Sequence, residues 1–237
     1  NNVKVIDLGA DFRLDDSTIY EKWYKVKHEF PNINKSAIYG LPEIYKEEIR
    51  KSKIISSPGC YPTSAILGVA PLLKHNLVNT KKIVVDSKSG VSGAGRNAKV
   101  DLIFTEVNEN FKAYNVLQHR HTPEIKQEMD KLCNSNINLV FTPHLLPINR
   151  GILSTIYLDV KEELKEEISE EKIYKLYKEF YKNEHFVRIT EDLPEIKNIK
   201  NSNICEIGIR YDREYGNIVV VSAIDNLIKG AGGQAVQ

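Results

Sequence analysis

The spacing of apolar residues changes at Pro58 and Gly59, and this change restricts the possible folds more than any other feature of the 237-residue chain. Ahead of it, short apolar runs alternate with segments of helical spacing; the runs are at residues 3–8, 37–41 and 53–56. Asp15 or Asp16 can cap the first of these helices, and a charged helix is predicted over 43–50. Strands that alternate with helices indicate a parallel α/β unit.

Beyond that point, the pattern indicates longer strands. A helix is expected from Pro62, a favoured first helical residue, and others over 122–132 and over the charged surface segment 162–182. Strands are predicted at 82–86, 138–142, 152–160, 204–211 and 217–224. The last two flank a turn and are typical of an antiparallel hairpin. We therefore expect a mixed α+β domain with a largely antiparallel sheet to follow the α/β segment.

The charge balance is close to neutral, with 33 basic and 32 acidic residues and a net charge of +1. This balance gives no electrostatic reason to expect nucleic acid or an anionic membrane as a partner. No apolar run reaches the length of a membrane span, and no signal peptide is recognisable. The three widely spaced cysteines suggest neither a disulfide framework nor a metal site, so a reducing cytoplasm fits best.

Cys60 is the strongest candidate for a reactive group. It lies in SSPGCYPTSA, just ahead of the helix predicted from Pro62, and Gly59 allows a tight turn that exposes the sulfur. Free N–H groups and the helix dipole favour negative charge there, so a lowered pKa and a thiolate are expected. The alternative is a structural role in the core, and the local pattern leaves both open. Cys133 and Cys205 are expected to be structural.

A cysteine nucleophile needs a base, and two histidines are candidates. His119 and His121 lie in QHRHTPEI, where Thr122 and Pro123 indicate a helix start and Glu124 falls in its first turn. A histidine just before a helix is fixed by the backbone and can point into a cleft. The alternative is that both are ordinary capping or surface residues. No third ligand lies nearby in the sequence, so a metal site is not expected.

Two further segments are candidates for binding anions. In FTPHLLPINRG, His144 is followed by Arg150, whose guanidinium can bind a carboxylate or phosphate through two hydrogen bonds, although a solvated loop arginine explains the pattern equally well. The glycine-rich segment 89–95 follows a strand, and its small residues let backbone N–H groups approach an anion. Because it has neither the Walker nor the GxGxxG pattern, a flexible turn is an equal alternative.

Several separate stretches together resemble one family, the N-acetyl-gamma-glutamyl-phosphate reductases of arginine biosynthesis. In the family's order they are DLGADFRL, YGLPE, SSPGCYPTSA, DSKSGVSGAGR, HRHTPEI, TPHLLPINRG and DNLIKGAGGQAVQ. The resemblance spans essentially the whole chain. It implies the α/β tail of a Rossmann-type domain at 1–59 and, at 60–225, an α+β catalytic and dimerisation domain like that of glyceraldehyde-phosphate dehydrogenase. Residues 226–237 would start a helix that returns to the cofactor domain.

The resemblance also implies a mechanism and a set of site residues. The Cys60 thiolate attacks the acyl phosphate, phosphate leaves, and NADPH reduces the resulting thioester to the semialdehyde. His121 handles the protons, with His119 as the competing candidate. The cofactor would contact Ser92, Gly93, Ala94, Gly95 and Asn226, and the substrate would contact Arg150, His144 and Glu124.

The chain departs from the family's pattern in a few places. Gly9 stands where serine is more usual, and Asn201 stands where glycine is expected. The glycine-rich turn of a complete dinucleotide-binding half is not found in the sequence, which leaves tight NADPH binding and turnover by this chain open. The family further suggests a cytoplasmic homotetramer that acts on a small acyl phosphate.

Three other interpretations remain open from the sequence. A lysine-pathway homologue would reduce a longer acyl phosphate borne on an acidic carrier protein, and a basic patch beside the site would favour it; the sequence shows no decisive basic cluster. A Cys–His hydrolase or acyltransferase would need no nicotinamide. A non-catalytic domain would have an unreactive Cys60, which comparison of its alkylation with that of Cys133 would reveal.

Overall fold

A short parallel sheet forms the first part of the structure. The computed structural model describes residues 3–95 and 97–237. Three strands make this sheet in the order β1-β3-β2, and they are β1 (Val5–Asp7), β2 (Ala37–Tyr39) and β3 (Ile54–Ser56). Both outer strands run parallel to β3, with Ile6 and Ile38 paired with Ile55. The α/β character predicted for this segment is confirmed.

Three helices connect these strands, and they are α1 (Ser17–Tyr24), α2 (Pro31–Asn34) and α3 (Pro42–Lys51). Asp16 caps α1 as predicted, because its side chain accepts a hydrogen bond from the Thr18 N–H. The turn before α3 lies against the end of β3, where the Gly40 N–H donates to the Ser56 carbonyl at 2.7 Å. A Cβ added at Gly40 would lie 2.9 Å from that same oxygen, so only glycine permits the approach.

A helix surrounded by protein occupies the centre of the molecule. In this helix, α4 (Cys60–Lys74), every residue from 61 to 73 is buried. Apolar residues cover its whole circumference, which is typical of a helix inside a core. It begins at Cys60, ahead of the predicted start at Pro62, because Gly59 has an extended backbone and provides the N-cap. The candidate nucleophile is therefore the first residue of the central helix.

A seven-stranded mixed sheet lies against α4. Its strands are β4 (Ile83–Gly90), β5 (Lys112–Ala113), β6 (Leu139–Leu146), β7 (Ile152–Asp159), β8 (Val187–Thr190), β9 (Cys205–Asp212) and β10 (Asn217–Ile224). Their order is β5-β6-β4-β7-β10-β9-β8. The pairs β4–β6 and β8–β9 are parallel, and the other four pairs are antiparallel. The largely antiparallel sheet and the β9–β10 hairpin predicted from the sequence are confirmed.

The remaining α-helices of the described residues are α5 (Phe104–Val107), α6 (Thr122–Cys133), α7 (Glu170–Phe180), α8 (Ile196–Ile199) and α9 (Gly233–Val236). The single helix predicted over 162–182 is wrong, because a 3-10 turn at Glu162–Leu164 is separate from α7. Ser169 marks the break. Its backbone is extended, and its side chain accepts a hydrogen bond from the Lys172 N–H, so α7 begins only after it.

The core lies between α4 and one face of the large sheet. Alternate residues of β7, such as Ile152 and Ile156, are buried on that face, as the twofold period of a strand requires. Buried hydroxyl groups cross the same interface. Ser64 of α4 donates to Ser154 of β7 at 2.9 Å, and Ser87 of β4 lies within 2.7 Å of the same Ser154 oxygen. These paired hydroxyls fix the position of α4, and with it Cys60, over the sheet.

The end of the chain packs against the start of α3. Residues Ile228–Gly232 form a π-helical turn that continues into α9. Gln234 donates to the Gly40 carbonyl at 3.3 Å. The helix start expected at 226–237 is present, and its first turn is wider than that of an α-helix.

Candidate active site

Cys60 lines a cavity of about 560 Å³, where the ends of β1 and β4 meet the N-terminus of α4. Its side chain is half-buried. Other lining residues are Arg13, Tyr61, Tyr114, His119, Arg120 and His121. The structure therefore brings the predicted nucleophile and both predicted bases into one cavity, although they are far apart in the sequence.

The thiol of Cys60 is not a preformed thiolate in this structure. Burial raises the pKa of Cys60 to about 11, whereas the Tyr61 N–H and the charge of Arg13 lower it. The lowered pKa expected from the sequence is therefore wrong, because the loss of water around the sulfur outweighs the helix N-terminus and the nearby cation. A base must accept the thiol proton before or during attack on a substrate.

His121 lies directly against the residue that precedes Cys60. A Cβ added at Gly59 would lie only 2.5 Å from Nε2 of His121, so this nitrogen faces the Gly59 backbone. The backbone of His121 is fixed as the N-cap residue of α6, and its imidazole makes no capping hydrogen bond. Burial, followed by the charge of Arg13, lowers the pKa of His121 to about 3. The ring is neutral at neutral pH and can accept a proton.

His119 lies beside His121 but has a different environment. Its Nδ1 accepts a hydrogen bond from the His121 N–H at 3.1 Å, so one ring nitrogen is already occupied. The rings of Tyr61, Tyr114 and Phe141 pack edge-on against it. Burial, followed by the charges of His121 and Arg120, lowers the pKa of His119 to about 3. Of the two imidazoles, His121 is the one that contacts the backbone next to Cys60.

Replacing Gly59 with alanine is expected to displace the His121 ring. The φ of Gly59 is −68°, so the backbone itself accepts an alanine and only the 2.5 Å contact opposes it. We expect a loss of about 1–3 kcal/mol in the free energy of unfolding. Turnover should fall by about tenfold or more, because a small displacement of a catalytic group is costly. Urea unfolding and steady-state kinetics measure the two effects.

Gly232→Ala is the matched control for this substitution. An added Cβ there would meet only the Leu227 carbonyl oxygen at 3.8 Å, which is ordinary van der Waals contact. It should leave both the free energy of unfolding and turnover near those of the parent protein. Equal effects of the two substitutions would contradict the close approach of His121 to Gly59.

Arg13 is a site residue that the sequence reasoning missed. It lines the cavity, and its guanidinium donates to the carbonyls of Ser57 at 2.8 Å and Leu8 at 3.1 Å. It also lies 3.5 Å from the carboxylate of Glu124. Because Arg13 lowers the pKa of Cys60, its charge acts on the sulfur. The sequence signal for Arg13 is its place in DLGADFRL, one of the stretches that resemble the reductase family.

Glu124 lies beneath the cavity and is 1% exposed. One of its oxygens accepts hydrogen bonds from the Gly59 N–H and the Tyr39 hydroxyl, each at 2.8 Å. The other faces Arg13. The family resemblance placed Glu124 with the substrate, whereas these contacts favour a role in positioning the backbone that leads to Cys60.

Basic side chains give the cavity a positive charge. Arg120, Lys99 and Lys112 line it together with Arg13. Among the described lining residues, Asp101 is the one with a carboxylate, and it lies 3.7 Å from Lys112. This excess of cations favours an anionic ligand.

Small residues form the wall of the cavity beside Cys60. Gly90, Gly93 and Ala94 line it and present no side chain longer than a methyl group. A flat aromatic ring can therefore approach the backbone closely. This wall fits the reactive end of a nicotinamide cofactor, which has to lie near the group that it reduces.

Ser92 and Asn226 lie behind this wall. The Asn226 amide donates to the Ser92 hydroxyl at 3.0 Å and accepts from the Gly151 N–H at 2.7 Å. Asn226 is buried, and Gly95 leaves the turn with a φ of 77° that favours glycine. Of the five residues assigned to the cofactor by resemblance, Gly93 and Ala94 line the cavity, and Ser92 and Asn226 fix the turn that presents them.

His144 and Arg150 do not line the cavity. His144 Nδ1 lies 3.0 Å from the carboxylate of Asp86. Arg150 donates to Asn201 at 2.8 Å and lies 3.4 Å from the buried carboxylate of Asp225. Each side chain has a protein partner, and the structure does not bring either of them together with Cys60.

In the described ranges 3–95 and 97–237, no group of three histidine, cysteine or carboxylate side chains could hold a metal ion. None of the helices in those ranges combines the length and apolarity that a bilayer crossing requires.

Comparison with known proteins agrees with this geometry. The family model of the semialdehyde dehydrogenase dimerisation domain matches residues 60–226. N-acetyl-gamma-glutamyl-phosphate reductase of Pelotomaculum thermopropionicum is 54% identical over 236 residues, which are 99% of this chain and 67% of that protein. The chain thus spans about two thirds of the length of this relative. The match to a dimerisation domain indicates that the protein forms an oligomer.

Two solved structures have a similar fold. Aspartate semialdehyde dehydrogenase II from Vibrio cholerae has a TM-score of 0.66 at 17% identity, covering 93% of this chain and 75% of that one. Aspartate semialdehyde dehydrogenase with NADP from Candida albicans has a TM-score of 0.58 at 14% identity. The match covers 83% of this chain and 61% of that one. At such identities the likeness shows the fold alone. The sequence identity over nearly the whole chain shows that this protein belongs to the N-acetyl-gamma-glutamyl-phosphate reductase family of semialdehyde dehydrogenases.

Proposed function

We propose that the chain is the catalytic part of an oxidoreductase that converts N-acetyl-gamma-glutamyl phosphate to N-acetylglutamate 5-semialdehyde and phosphate in arginine biosynthesis, with NADPH as reductant. The proposal rests on the meeting of Cys60 and the His121 imidazole at Gly59 in a cavity lined by cations. A sulfur nucleophile, a neutral base and positive charge are the groups that acyl transfer from a phosphate requires.

Cys60 supplies the nucleophile in the first step. Its sulfur attacks the acyl carbon, a carbon–sulfur bond forms, the carbon–oxygen bond to phosphate breaks, and inorganic phosphate leaves. The thiol proton moves to His121 as the sulfur attacks, because the raised pKa of the thiol and the lowered pKa of the imidazole disfavour a separate thiolate–imidazolium pair. The product of this step is a thioester on Cys60.

Arg13 and the other basic lining residues bind the negative charge of the substrate. The charge of Arg13 acts on the Cys60 sulfur, so it is also placed to stabilise the phosphate that leaves from the attacked carbon. Arg120, Lys99 and Lys112 supply further charge for the substrate carboxylate. Their place in the cavity wall supports an anionic substrate, and the names of the relatives favour N-acetyl-gamma-glutamyl phosphate over a carrier-bound acyl phosphate.

Reduction of the thioester requires a hydride, which NADPH supplies when it is bound beside Gly93 and Ala94. His121 then gives its proton to the oxygen on which charge develops. The hydroxyl proton returns through His121 to the sulfur as the carbon–sulfur bond breaks, so the semialdehyde leaves and the Cys60 thiol is restored. Ser92, Gly95 and Asn226 would serve the cofactor by fixing the turn, as their contacts support.

The loops around the site, the domain division and the oligomer belong to the same proposal. Arg150 and His144 would order the loops around the site, since each has a protein partner. The division into a cofactor-domain segment at 1–59, a catalytic domain at 60–225 and a returning helix at 226–237 follows the two sheets. A homotetramer in the cytoplasm is the oligomer and location that we propose.

Phosphate-dependent oxidation of the semialdehyde tests this function. We expect the intact protein to reduce NADP when N-acetylglutamate 5-semialdehyde and inorganic phosphate are both present. Without phosphate, the thioester on Cys60 has no acceptor, so NADP reduction should stop after one turnover. A Cys–His hydrolase would instead release the free acid from an activated acyl compound without any nicotinamide, and that result would contradict the proposal.

The alkylation rate of Cys60 should rise steeply with pH. Since its pKa is raised to about 11, the thiolate fraction grows about tenfold for each pH unit below that value. Between pH 7 and pH 9, the rate with iodoacetamide should therefore rise about a hundredfold, as followed by mass spectrometry of the Cys60 peptide. A rate that levels off below pH 8 would indicate a stable thiolate–imidazolium pair and contradict the neutral resting state.

A further inference from the structure

A fully buried ion pair joins the end of the chain to helix α3. The side chains of Lys229 and Glu43 are both 0% exposed, and the Lys229 ammonium donates to Oε1 of Glu43. The ammonium also lies 5.7 Å from the ring of Phe186. Neither residue lines the cavity that contains Cys60, so the proposed chemistry does not use this pair directly.

Two glutamines extend the contact between the same two parts of the chain. Gln237 donates to Glu43 at 2.9 Å and accepts from Lys229 at 2.7 Å. Gln234 donates to the carbonyl of Gly40, just before α3. Residues 228–237, here called the C-terminal segment, are therefore attached by polar contacts to the turn that follows β2.

The residue after Lys229 contacts the candidate nucleophile. A Cβ added at Gly230 would lie 2.7 Å from the Cβ of Cys60 and 3.1 Å from its Cα. Gly230 is itself fixed, because its N–H donates to the Asp225 carbonyl at 2.9 Å. The C-terminal segment thus packs against the side chain of Cys60. Glu124 accepts a hydrogen bond from the N–H of Gly59, the residue before Cys60.

A buried ion pair is a poor source of net stability. Both charges lose their hydration, and apolar side chains of similar volume stabilise a core as well or better. What the pair supplies instead is a defined distance, since separating two charges inside the core is costly. The segment that it fixes here is the one that touches Cys60.

We infer that Lys229 and Glu43 are positioning residues for Cys60, and that they act through Gly230 by setting where the C-terminal segment lies against the sulfur-bearing carbon. This inference rests on the proposed role of Cys60 as nucleophile. The resemblance to the family does not suggest this role. It requires contact between the start of α3 and the C-terminal segment for the correct position of Cys60.

The double variant Lys229→Met/Glu43→Leu in the intact protein tests the inference. Both charges are removed together, so the protein should still unfold cooperatively near the parent's midpoint. We expect kcat to fall by about tenfold or more with KM within about twofold, because Cys60 is misplaced while the substrate-binding cations remain. Iodoacetamide should label Cys60 faster, since release of Gly230 lets water reach the sulfur, and labelling of Cys133 and Cys205 should not change.

Lys46→Met is the matched control. Lys46 is on the same helix and pairs with Glu184 at 2.6 Å, outside the C-terminal segment. Its kcat and Cys60 labelling should equal those of the parent protein. If the double variant folds and has the parent's kcat and rate of Cys60 labelling, the inference is overturned. Faster labelling of all three cysteines would show that the whole core has loosened, and it would overturn the inference as well.

Gly230→Ala provides a second test that leaves the ion pair intact. The added methyl group pushes directly on Cys60, so kcat should fall while Lys229 and Glu43 remain paired. Parental kcat in Gly230→Ala would overturn the inference even if the double variant did not fold. Activity in Cys60→Ser would instead remove the proposed function itself, so the two failures can be told apart.

Discussion

Replacing Cys60 with serine is expected to lower turnover by about a thousandfold or more in the intact protein, because no other group in the cavity can form the thioester. Among the described lining residues, Cys60 is the one thiol, and it begins α4 beside His121 and Arg13. A serine hydroxyl is similar in size but far less nucleophilic at neutral pH. Steady-state assay of NADP reduction with semialdehyde and phosphate measures the loss.

The other two cysteines provide the controls for this substitution. Cys133 lies at the end of α6, where its thiol donates to the Met129 carbonyl at 3.3 Å. Cys205 is buried beside Ser222 at 3.4 Å, and burial raises its pKa to about 12. Cys133→Ser and Cys205→Ala should both keep parental turnover. Parental activity in Cys60→Ser would contradict the covalent mechanism.

Replacing His121 with asparagine is expected to reduce turnover by about a hundredfold or more. The neutral imidazole faces the backbone next to Cys60, and an amide cannot accept the thiol proton. Because the thiol pKa is about 11, the attack depends strongly on that base near neutral pH. The loss of turnover should become smaller as pH rises, since more Cys60 thiolate then forms without a base. Comparing kcat/KM of the variant and the parent protein from pH 7 to pH 10 measures this change.

His119→Asn is the comparison that identifies the base. His119 has Nδ1 occupied by the His121 N–H, and its ring packs among Tyr61, Tyr114 and Phe141. We expect a smaller loss of turnover, produced by a shift of the neighbouring His121. If His119→Asn is the more damaging change, the assignment of the proton transfer to His121 is wrong.

Sequence patterns identified the site where the signal was local. Gly59 ahead of a helix start indicated Cys60, and Thr122 with Pro123 indicated a helix that would present the two histidines. Both helices exist: α4 begins at Cys60, two residues ahead of its predicted start, and α6 begins at Thr122, directly after His121. These predictions succeeded because helix starts depend on the conformations of a few adjacent residues.

Sequence patterns failed where the relevant contact is distant. Arg13 was overlooked because nothing near it in the sequence shows that it lies beside Cys60. No pattern near Glu124 indicates that one of its oxygens accepts hydrogen bonds from the Gly59 N–H and the Tyr39 hydroxyl. The helix predicted over 162–182 ignored Ser169, whose capping hydrogen bond delays the start of α7.

The sequence by itself determined the alternation of strands and helices, the helix that begins beside Cys60 and the family to which the chain belongs. Only the tertiary structure decided the state of the thiol and the partners of the buried charges. A pKa depends on how much water and charge surround a group, and here those surroundings come from residues remote in the chain. Lys229 and Glu43, 186 positions apart, meet only because the fold closes the end of the chain over α3.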